Sequence, residues 1–210
     1  MKIFVVAATR AELGELFHFY EFQEANFVQT VNFDVLITGV GMTATAFALG
    51  QHLSAAYNLV INLGIAGCYD RSINLGDLLH ITTDEFSELG AEDKDQFLSI
   101  DDLGFGKSQY NSTQKFKDTR LAALREARGI TVNKVHGNLQ SISAVVKRLN
   151  PTTESMEGAA VFYCCHQLGI PCIQVRSISN YVEERNRDNW KIGLAVKNLN
   201  DWAIKFLTNV

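Results

Sequence analysis

Three short stretches of the sequence carry side chains that could do chemistry. Glu12 follows the first apolar run, and Glu157 lies in residues 155–160 (SMEGAA), just before a predicted helix that begins with small residues. Arg176 and Asn180 stand where polar residues replace apolar ones at the end of a predicted strand. Each also fits an ordinary role, because carboxylates stabilise first helical turns and Asn favours turns. Their occurrence together, in this order, is the informative signal.

These residue types have complementary chemical abilities. A carboxylate such as Glu12 or Glu157 can take a proton from water or stabilise a developing positive charge. The amide of Asn180 donates and accepts hydrogen bonds but has no proton to release. The guanidinium of Arg176 stays charged and only donates hydrogen bonds.

The elements that must position these residues alternate along the chain. Predicted strands, rich in apolar residues, cover 2–8, 27–30, 33–38, 59–63, 77–83, 131–135 and 172–178. Predicted helices cover 11–20, 43–56, 117–128, 143–149, 158–168 and 187–207. Residues 64–67 (GIAG) are expected to form a turn that closes the strand before them, and the acidic residues 84–102 a solvated loop.

This alternation predicts an α/β fold, a three-layer sandwich with a central mixed, largely parallel sheet flanked by helices. No Gly-, Ser- or Pro-rich linker divides the chain, so we expect a single domain over residues 1–210. Ligands of such folds bind beyond the carboxyl ends of the strands. The segments expected there are residues 7–12, 39–42, 64–68, 84–88, 136–141 and 178–185.

The composition excludes several classes of protein. A formal net charge of −4 over 210 residues lacks the basic excess of a nucleic-acid-binding protein. The longest apolar run, residues 3–8, is too short for a membrane span or a secretory signal, so we expect a cytoplasmic protein. The four cysteines show no metal-ligand spacing, and residues 39–41 (GVG) do not complete a dinucleotide-binding motif. We therefore expect no metal and no cofactor.

Taken together, the motifs resemble those of the purine nucleoside phosphorylase and uridine phosphorylase superfamily, in its nucleosidase branch. The resemblance runs over nearly the whole chain, through residues 38–41 (TGVG), 62–67 (NLGIAG), 74–77 (NLGD), 155–160 (SMEGAA) and 175–180 (VRSISN). Residues 179–190 (SNYVEERNRDNW) are most similar to those of the futalosine hydrolases, which release hypoxanthine from futalosine in the alternative route to menaquinone.

The resemblance implies a role for each candidate residue. Glu12 would be the general base that deprotonates water. Glu157 would hold the ribose hydroxyls and stabilise the ribosyl cation, with Met156 packed against the sugar. Arg176 would help to hold Glu157 and the hydroxyls, and Asn180 would contact the purine around N7 and position 6.

Two departures from related enzymes refine this expectation. Phosphorylases bind phosphate with arginines and a serine at the positions of Glu12, Asn62 and Ile65, so a carboxylate there favours hydrolysis by water. The methylthioadenosine/S-adenosylhomocysteine nucleosidases have Asp where this chain has Asn180. An amide suits a 6-oxopurine, since it can donate to O6 and N7 but cannot protonate adenine.

The expected partner is therefore a small nucleoside substrate, and the resemblance also implies a homo-oligomer. Two alternatives remain open. The chain could be a methylthioadenosine/S-adenosylhomocysteine (or aminofutalosine) nucleosidase, or a nucleoside-binding protein without catalysis, because a fold alone does not fix an activity.

Overall fold

The computed structural model describes residues 1–113, 116 and 118–208. The remaining residues of the predicted domain 1–210, which are 114, 115, 117, 209 and 210, lie outside this description. In the described part the strands are β1 (Ile3–Ala7), β2 (Phe27–Gln29), β3 (Phe33–Ile37), β4 (Leu59–Cys68), β5 (Leu78–Phe86), β6 (Gly90–Asp93), β7 (Gln96–Ser99), β8 (Gln109–Asn111), β9 (Arg125–Thr131), β10 (Thr153–Ser155) and β11 (Cys172–Tyr181). The helices are α1 (Gly14–Phe19), α2 (Met42–His52), α3 (Thr119–Ala122), α4 (Leu139–Leu149), α5 (Gly158–Leu168) and α6 (Ile192–Leu207).

The central sheet is mixed and largely parallel, as the sequence predicts. Its strands follow the order β10-β9-β5-β11-β4-β1-β3-β2, and β8 pairs with β5 outside this path. The pairs β1–β3, β1–β4, β4–β11, β5–β9 and β9–β10 are parallel. The pairs β2–β3, β5–β8, β5–β11 and β4–β10 are antiparallel.

Helices cover both faces of the sheet because alternate strand residues point in opposite directions. On one face, Val5 and Ile61 pack with Leu16 of α1 and Phe206 of α6. On the other face, the next residues along the same strands, such as Val60, pack with residues of α2 and α5. This gives the predicted three layers. No helix among the described residues has the length and apolar character needed to cross a membrane.

Residues 64–67 do not form the predicted turn. They continue strand β4 as far as Cys68, and Gly64 pairs with Arg176 of β11. The glycines indicate a close approach of side chains to the backbone here, which is the other common reason for Gly in a strand. Strand β11 likewise runs past its predicted end at residue 178, so Asn180 belongs to it.

Three other predictions of secondary structure were wrong. The strand predicted over residues 131–135 is not formed, because β9 already ends at Thr131. The predicted helix 117–128 is reduced to α3, and its second half forms β9 between β5 and β10, because strand pairing outweighs helix propensity. Lys117, its first residue, lies outside the described residues. The acidic stretch 84–102 is not an irregular loop, since β5 extends to Phe86 and β6 and β7 form a hairpin.

Candidate active site

A cavity of about 340 Å³ lies at the carboxyl ends of β1, β4 and β11. Its volume is within the range usual for small-molecule sites. Glu12, Met156, Glu157 and Asn180 all line it, and Arg176 is buried directly behind it at 1% exposure. The structure therefore brings together the five residues that the sequence singled out, although they come from three separate parts of the chain.

Glu12 is held rigidly in the wall of this cavity. It lies in a short 3-10 turn, Arg10–Leu13, that Thr9 caps. The backbone N–H and the hydroxyl of Thr9 both donate to Oε2 of Glu12 at 3.0 Å. The backbone N–H of Ile65 donates to Oε1, also at 3.0 Å. Three donors thus fix the carboxylate, so that it can face a ligand without first reorganising.

Arg10 points away from the cavity. Its guanidinium lies 5.5 Å from the ring centre of Phe17 and 3.5 Å from the carboxylate of Glu24, and these residues line a different surface depression. The arginine nearest to Glu12 in the sequence is therefore not placed to hold an anion beside it.

Glu157 supplies a second carboxylate to the same cavity. It is the residue before the first turn of α5, and its Oε1 accepts a 2.9 Å hydrogen bond from the backbone N–H of Gly41. Gly41 has a φ of 94°, a conformation that favours glycine. Burial raises the pKa of Glu157, and the charge of Glu12 adds to this effect, whereas the charge of Arg176 opposes it.

The Arg176 side chain occupies the space that a side chain on Gly64 would need. A Cβ atom on Gly64 would lie 1.9 Å from Nη1 of Arg176 and 2.9 Å from Oε1 of Glu12. The guanidinium therefore crosses the backbone of β4 beside Glu12. The position requires glycine because of this crossing and not because of its backbone angles.

We expect Gly64→Ala to displace Arg176 and Glu12 together and to lower kcat/KM by more than about 10²-fold, since misplacement by about 1 Å can cost that much. Gly50→Ala is the matched control, because a Cβ on Gly50 meets no atom within 4 Å. Steady-state kinetics of both variants check this. Full activity of Gly64→Ala would show that the placement of Arg176 is unimportant.

A buried chain of hydrogen bonds holds Arg176 from behind, and no pattern in the sequence signals it. Oε1 of Gln174 accepts from Nη2 of Arg176 at 3.2 Å and from Nδ2 of Asn62 at 2.7 Å. Nε2 of Gln174 donates to Oδ2 of Asp84 at 2.7 Å. This orientation of the Gln174 amide requires an acceptor at position 84, so Asp84 indirectly orients Arg176.

Asp84 also connects to the helix that follows Glu157. The hydroxyl of Thr131 donates to Oδ1 of Asp84 at 2.8 Å and accepts from the backbone N–H of Ala159 at 2.7 Å. Complete burial raises the pKa of Asp84 to about 6, against the opposing hydrogen bonds from Gln174 and Thr131 and the charge of Arg176.

This raised pKa predicts a specific dependence of stability on pH. Because folded Asp84 binds its proton more tightly than the unfolded chain does, its contribution to stability falls as pH rises through about 6. We expect this group alone to make the protein roughly 1 kcal/mol more stable at pH 5 than at pH 7. Urea unfolding of Asp84→Asn at both pH values should lack that difference. An unchanged difference would mean that Asp84 does not titrate in this range.

Asn180 lies beside a bulge near the end of β11. Its Oδ1 accepts from the hydroxyl of Ser179 at 2.8 Å, and its Nδ2 donates to the backbone carbonyl of Tyr181 at 3.0 Å. These bonds fix the orientation of the amide. One amide hydrogen is thus used within the protein, which leaves one, and not two, for a ligand.

Three other residues of the cavity wall that could contact a ligand were not singled out from the sequence. His136 and Glu154 line the cavity and contact each other, and Trp190 lines it beside the start of α6. Their positions carried a partial signal, since residue 136 lies in a segment predicted at the strand ends and Glu154 directly precedes the 155–160 motif. The segment 84–88 instead borders a neighbouring cavity through Phe86.

The chain is similar to known proteins over most of its length. The family model described as "Phosphorylase superfamily" matches residues 10–208. A futalosine hydrolase of Streptomyces coelicolor is 31% identical over 80% of this chain and 75% of that protein. A futalosine hydrolase of Thermus thermophilus is 27% identical over 76% of this chain and 74% of that protein.

More distant relatives include a different nucleosidase. A 5'-methylthioadenosine/S-adenosylhomocysteine nucleosidase of Glaesserella parasuis is 23% identical over 87% of this chain and 83% of that protein. Among solved structures, the enzyme of that name from Helicobacter pylori superposes with a TM-score of 0.84 at 16% identity, covering 100% of this chain and 99% of the other. The chain belongs to the phosphorylase superfamily, and within it the sequence is similar to the futalosine hydrolases.

Proposed function

We propose that this protein hydrolyses the N-ribosidic bond of futalosine and releases hypoxanthine. The observation that carries the proposal is the shared cavity of Glu12, Glu157 and Asn180, in which three donors hold the Glu12 carboxylate in place. The similarity to futalosine hydrolases supports the choice of substrate.

In this proposal, Glu12 takes a proton from water while the water oxygen forms a bond to C1′ of the ribose. The C1′–N9 bond breaks, and its electron pair leaves with the purine. Glu157 binds the ribose hydroxyls and stabilises the positive charge that develops on the sugar. Met156 packs against the sugar, and Arg176, held by Gln174, helps to hold Glu157 and the ribose hydroxyls.

Water is favoured over phosphate as the nucleophile because of the charges around Glu12. A phosphate dianion beside the carboxylate would be repelled. Ile65 contributes its backbone N–H to Glu12 and has no side-chain donor, and Arg10 faces Glu24 and Phe17 instead of the cavity.

The position of Trp190 supports the proposal that the substrate carries a bulky aromatic 5′ substituent. Its ring lines the cavity, and the guanidinium groups of Arg185 and Arg187 lie 5.0 and 5.8 Å from the ring centre. An aromatic surface bordered by cations suits an aromatic group. The aromatic residues Phe86 and Tyr110 line the neighbouring cavity instead, so they do not contribute to this aromatic surface.

We also propose that the protein forms a homo-oligomer through α2 and α5. Phe47 of α2 and Tyr163 of α5 are 67% and 41% exposed, and the two helices pack side by side. Large apolar side chains in one area favour association. Light scattering should give at least twice the chain mass of 23.4 kDa, and Phe47→Glu should lower it. A monomeric wild-type protein would contradict this.

The test of the proposed function is to incubate the protein separately with futalosine, aminofutalosine, inosine and methylthioadenosine, and to identify the released base. We expect futalosine to be cleaved with the highest kcat/KM, giving hypoxanthine. Faster release of adenine from methylthioadenosine would favour the alternative nucleosidase. Binding without release of any base would favour a non-catalytic nucleoside-binding protein.

A further inference from the structure

A histidine and a buried glutamate form a pair in the cavity wall that the proposed roles leave unused. Nδ1 of His136 lies 2.6 Å from Oε2 of Glu154, and the backbone N–H of His136 donates to Oε1 at 3.0 Å. The hydroxyl of Tyr69 also donates to Oε2 at 2.6 Å. Burial and the nearby Glu154 raise the pKa of Tyr69, so it remains a donor. Three donors on one buried carboxyl group are the arrangement that a carboxylate requires.

Strand pairing places this pair beside Asn180. Gly67 of β4 pairs with Glu154 of β10 on one side and with Asn180 of β11 on the other. A Cβ atom on Gly67 would lie 3.3 Å from Nδ2 of Asn180 and 3.4 Å from Cγ of Glu154. The amide and the glutamate side chain therefore converge over the same backbone position.

The carboxylate of Glu12, which acts on water in the proposed reaction, lies elsewhere along β4. Glu12 contacts the strand at Gly64 and Ile65. Gly64 and Gly67 are three residues apart, which corresponds to roughly 10 Å along a strand. That separation is comparable to the length of a nucleoside from its sugar to the far edge of its purine. A nucleoside whose sugar lies at Glu12 would thus place its purine near Asn180 and His136.

We propose that His136 is a catalytic residue that donates a proton to the departing purine, and that Glu154 is the residue that positions it. This inference rests on the proposed hydrolysis of a purine nucleoside. As the C1′–N9 bond breaks, its electron pair moves into the purine, and a ring nitrogen of the purine takes the proton from Nε2 of His136. Water bonds to C1′ and gives its proton to Glu12, so the charges balance, and solvent then returns a proton from Glu12 to His136.

The cavity needs such a donor because Asn180 has no proton to release. Of the described residues that line the cavity, the titratable ones are Glu12, His136, Glu154 and Glu157. Glu12 and Glu157 act on the water and the sugar in the proposed reaction. Since Nδ1 of His136 faces Glu154, the ring is oriented with Nε2 as the nitrogen that can serve a ligand.

The charged and titratable groups around His136 come from three segments. Glu154 lies on β10, and Tyr69 directly follows β4. Arg185 packs against the neighbouring Gly137, where a Cβ atom would lie 3.2 Å from Cβ of Arg185. General acid catalysis requires the protonated form of the donor, so we expect kcat of the wild-type protein to fall at alkaline pH.

The test compares His136→Gln with the wild-type protein on two substrates. The first is the purine nucleoside that the wild-type protein cleaves best, and the second is 4-nitrophenyl β-D-ribofuranoside, whose leaving group needs no proton. We expect His136→Gln to lose about 10²- to 10⁴-fold in kcat on the nucleoside. Its loss on the nitrophenyl riboside should be less than about tenfold, and the alkaline decrease in kcat should disappear from its pH profile.

Glu154→Gln should cause a smaller loss of kcat, which should again be larger on the nucleoside than on the nitrophenyl riboside. If His136→Gln does not fold, this variant tests the role of His136 instead. If the nitrophenyl riboside is not cleaved, the pH profiles decide. His18→Gln, a change of an exposed histidine on α1, is the control. Equal losses on both substrates, or an unchanged pH profile, would overturn the role of His136. A wild-type protein that releases no purine would overturn the proposed function and this inference together.

Discussion

Glu12→Gln is expected to lower kcat by about 10³-fold, because the amide keeps the size of the side chain but cannot take a proton from water. Ile65 and Thr9 direct three hydrogen-bond donors at the two oxygens of Glu12. In the variant, the amide nitrogen of the glutamine replaces one of these oxygens and faces a donor from which it cannot accept. The variant should still bind hypoxanthine, because the contacts at Asn180 are unchanged. Steady-state kinetics and calorimetric titration with hypoxanthine measure the two effects separately.

The control for this experiment is Glu15→Gln, which alters an exposed carboxylate three residues further along the chain. It should have wild-type kinetics. If Glu12→Gln kept its activity while remaining folded, the general base would have to be another residue. If it lost activity and hypoxanthine binding together, the role of Glu12 would be structural.

Asn180→Asp is expected to change the preference for the purine base, raising the ratio of adenine release to hypoxanthine release by about 10²-fold or more. A protonated Asp can give a proton to N7 of adenine and accept from its 6-amino group, whereas the amide can only donate to the oxo group of hypoxanthine. The hydroxyl of Ser179 already donates to Oδ1 and would hold the new carboxyl group in the same orientation. Values of kcat/KM for futalosine and methylthioadenosine give the ratio.

Asn58→Asp is the matched control, since Asn58 is exposed before the opposite end of β4 and uses its Oδ1 to accept from the backbone N–H of Lys2. It should leave the ratio unchanged. A constant ratio in Asn180→Asp would mean that this residue does not select the base.

The fold was predictable from the sequence where local pattern and strand pairing agree. Apolar strands such as β1 and β11, and helix α5 with Gly169 after its end, were predicted close to their observed positions. The prediction failed at residues 117–128, where helix-forming residues are drawn into β9 by pairing with β5 and β10. Such pairing depends on residues distant in sequence, and local propensity does not report it.

The candidate site, like the fold, could be predicted from the sequence only in part. Glu12, Glu157 and Asn180 could be singled out because each is a polar residue at the end of an apolar element. Gly64 was misinterpreted as a turn residue, since only the structure reveals that the side chain of Arg176 fills its missing Cβ position. The buried bonds of Asp84 and the contact of His136 with Glu154 join distant segments, so no spacing in the sequence signals them.

Cleavage of futalosine in ¹⁸O-labelled water, with and without inorganic phosphate, tests most directly whether water activated by Glu12 attacks C1′. We expect the same rate in both conditions and a free sugar product that carries one ¹⁸O atom at C1′ at early times. A requirement for phosphate, with a sugar 1-phosphate as the product, would contradict it.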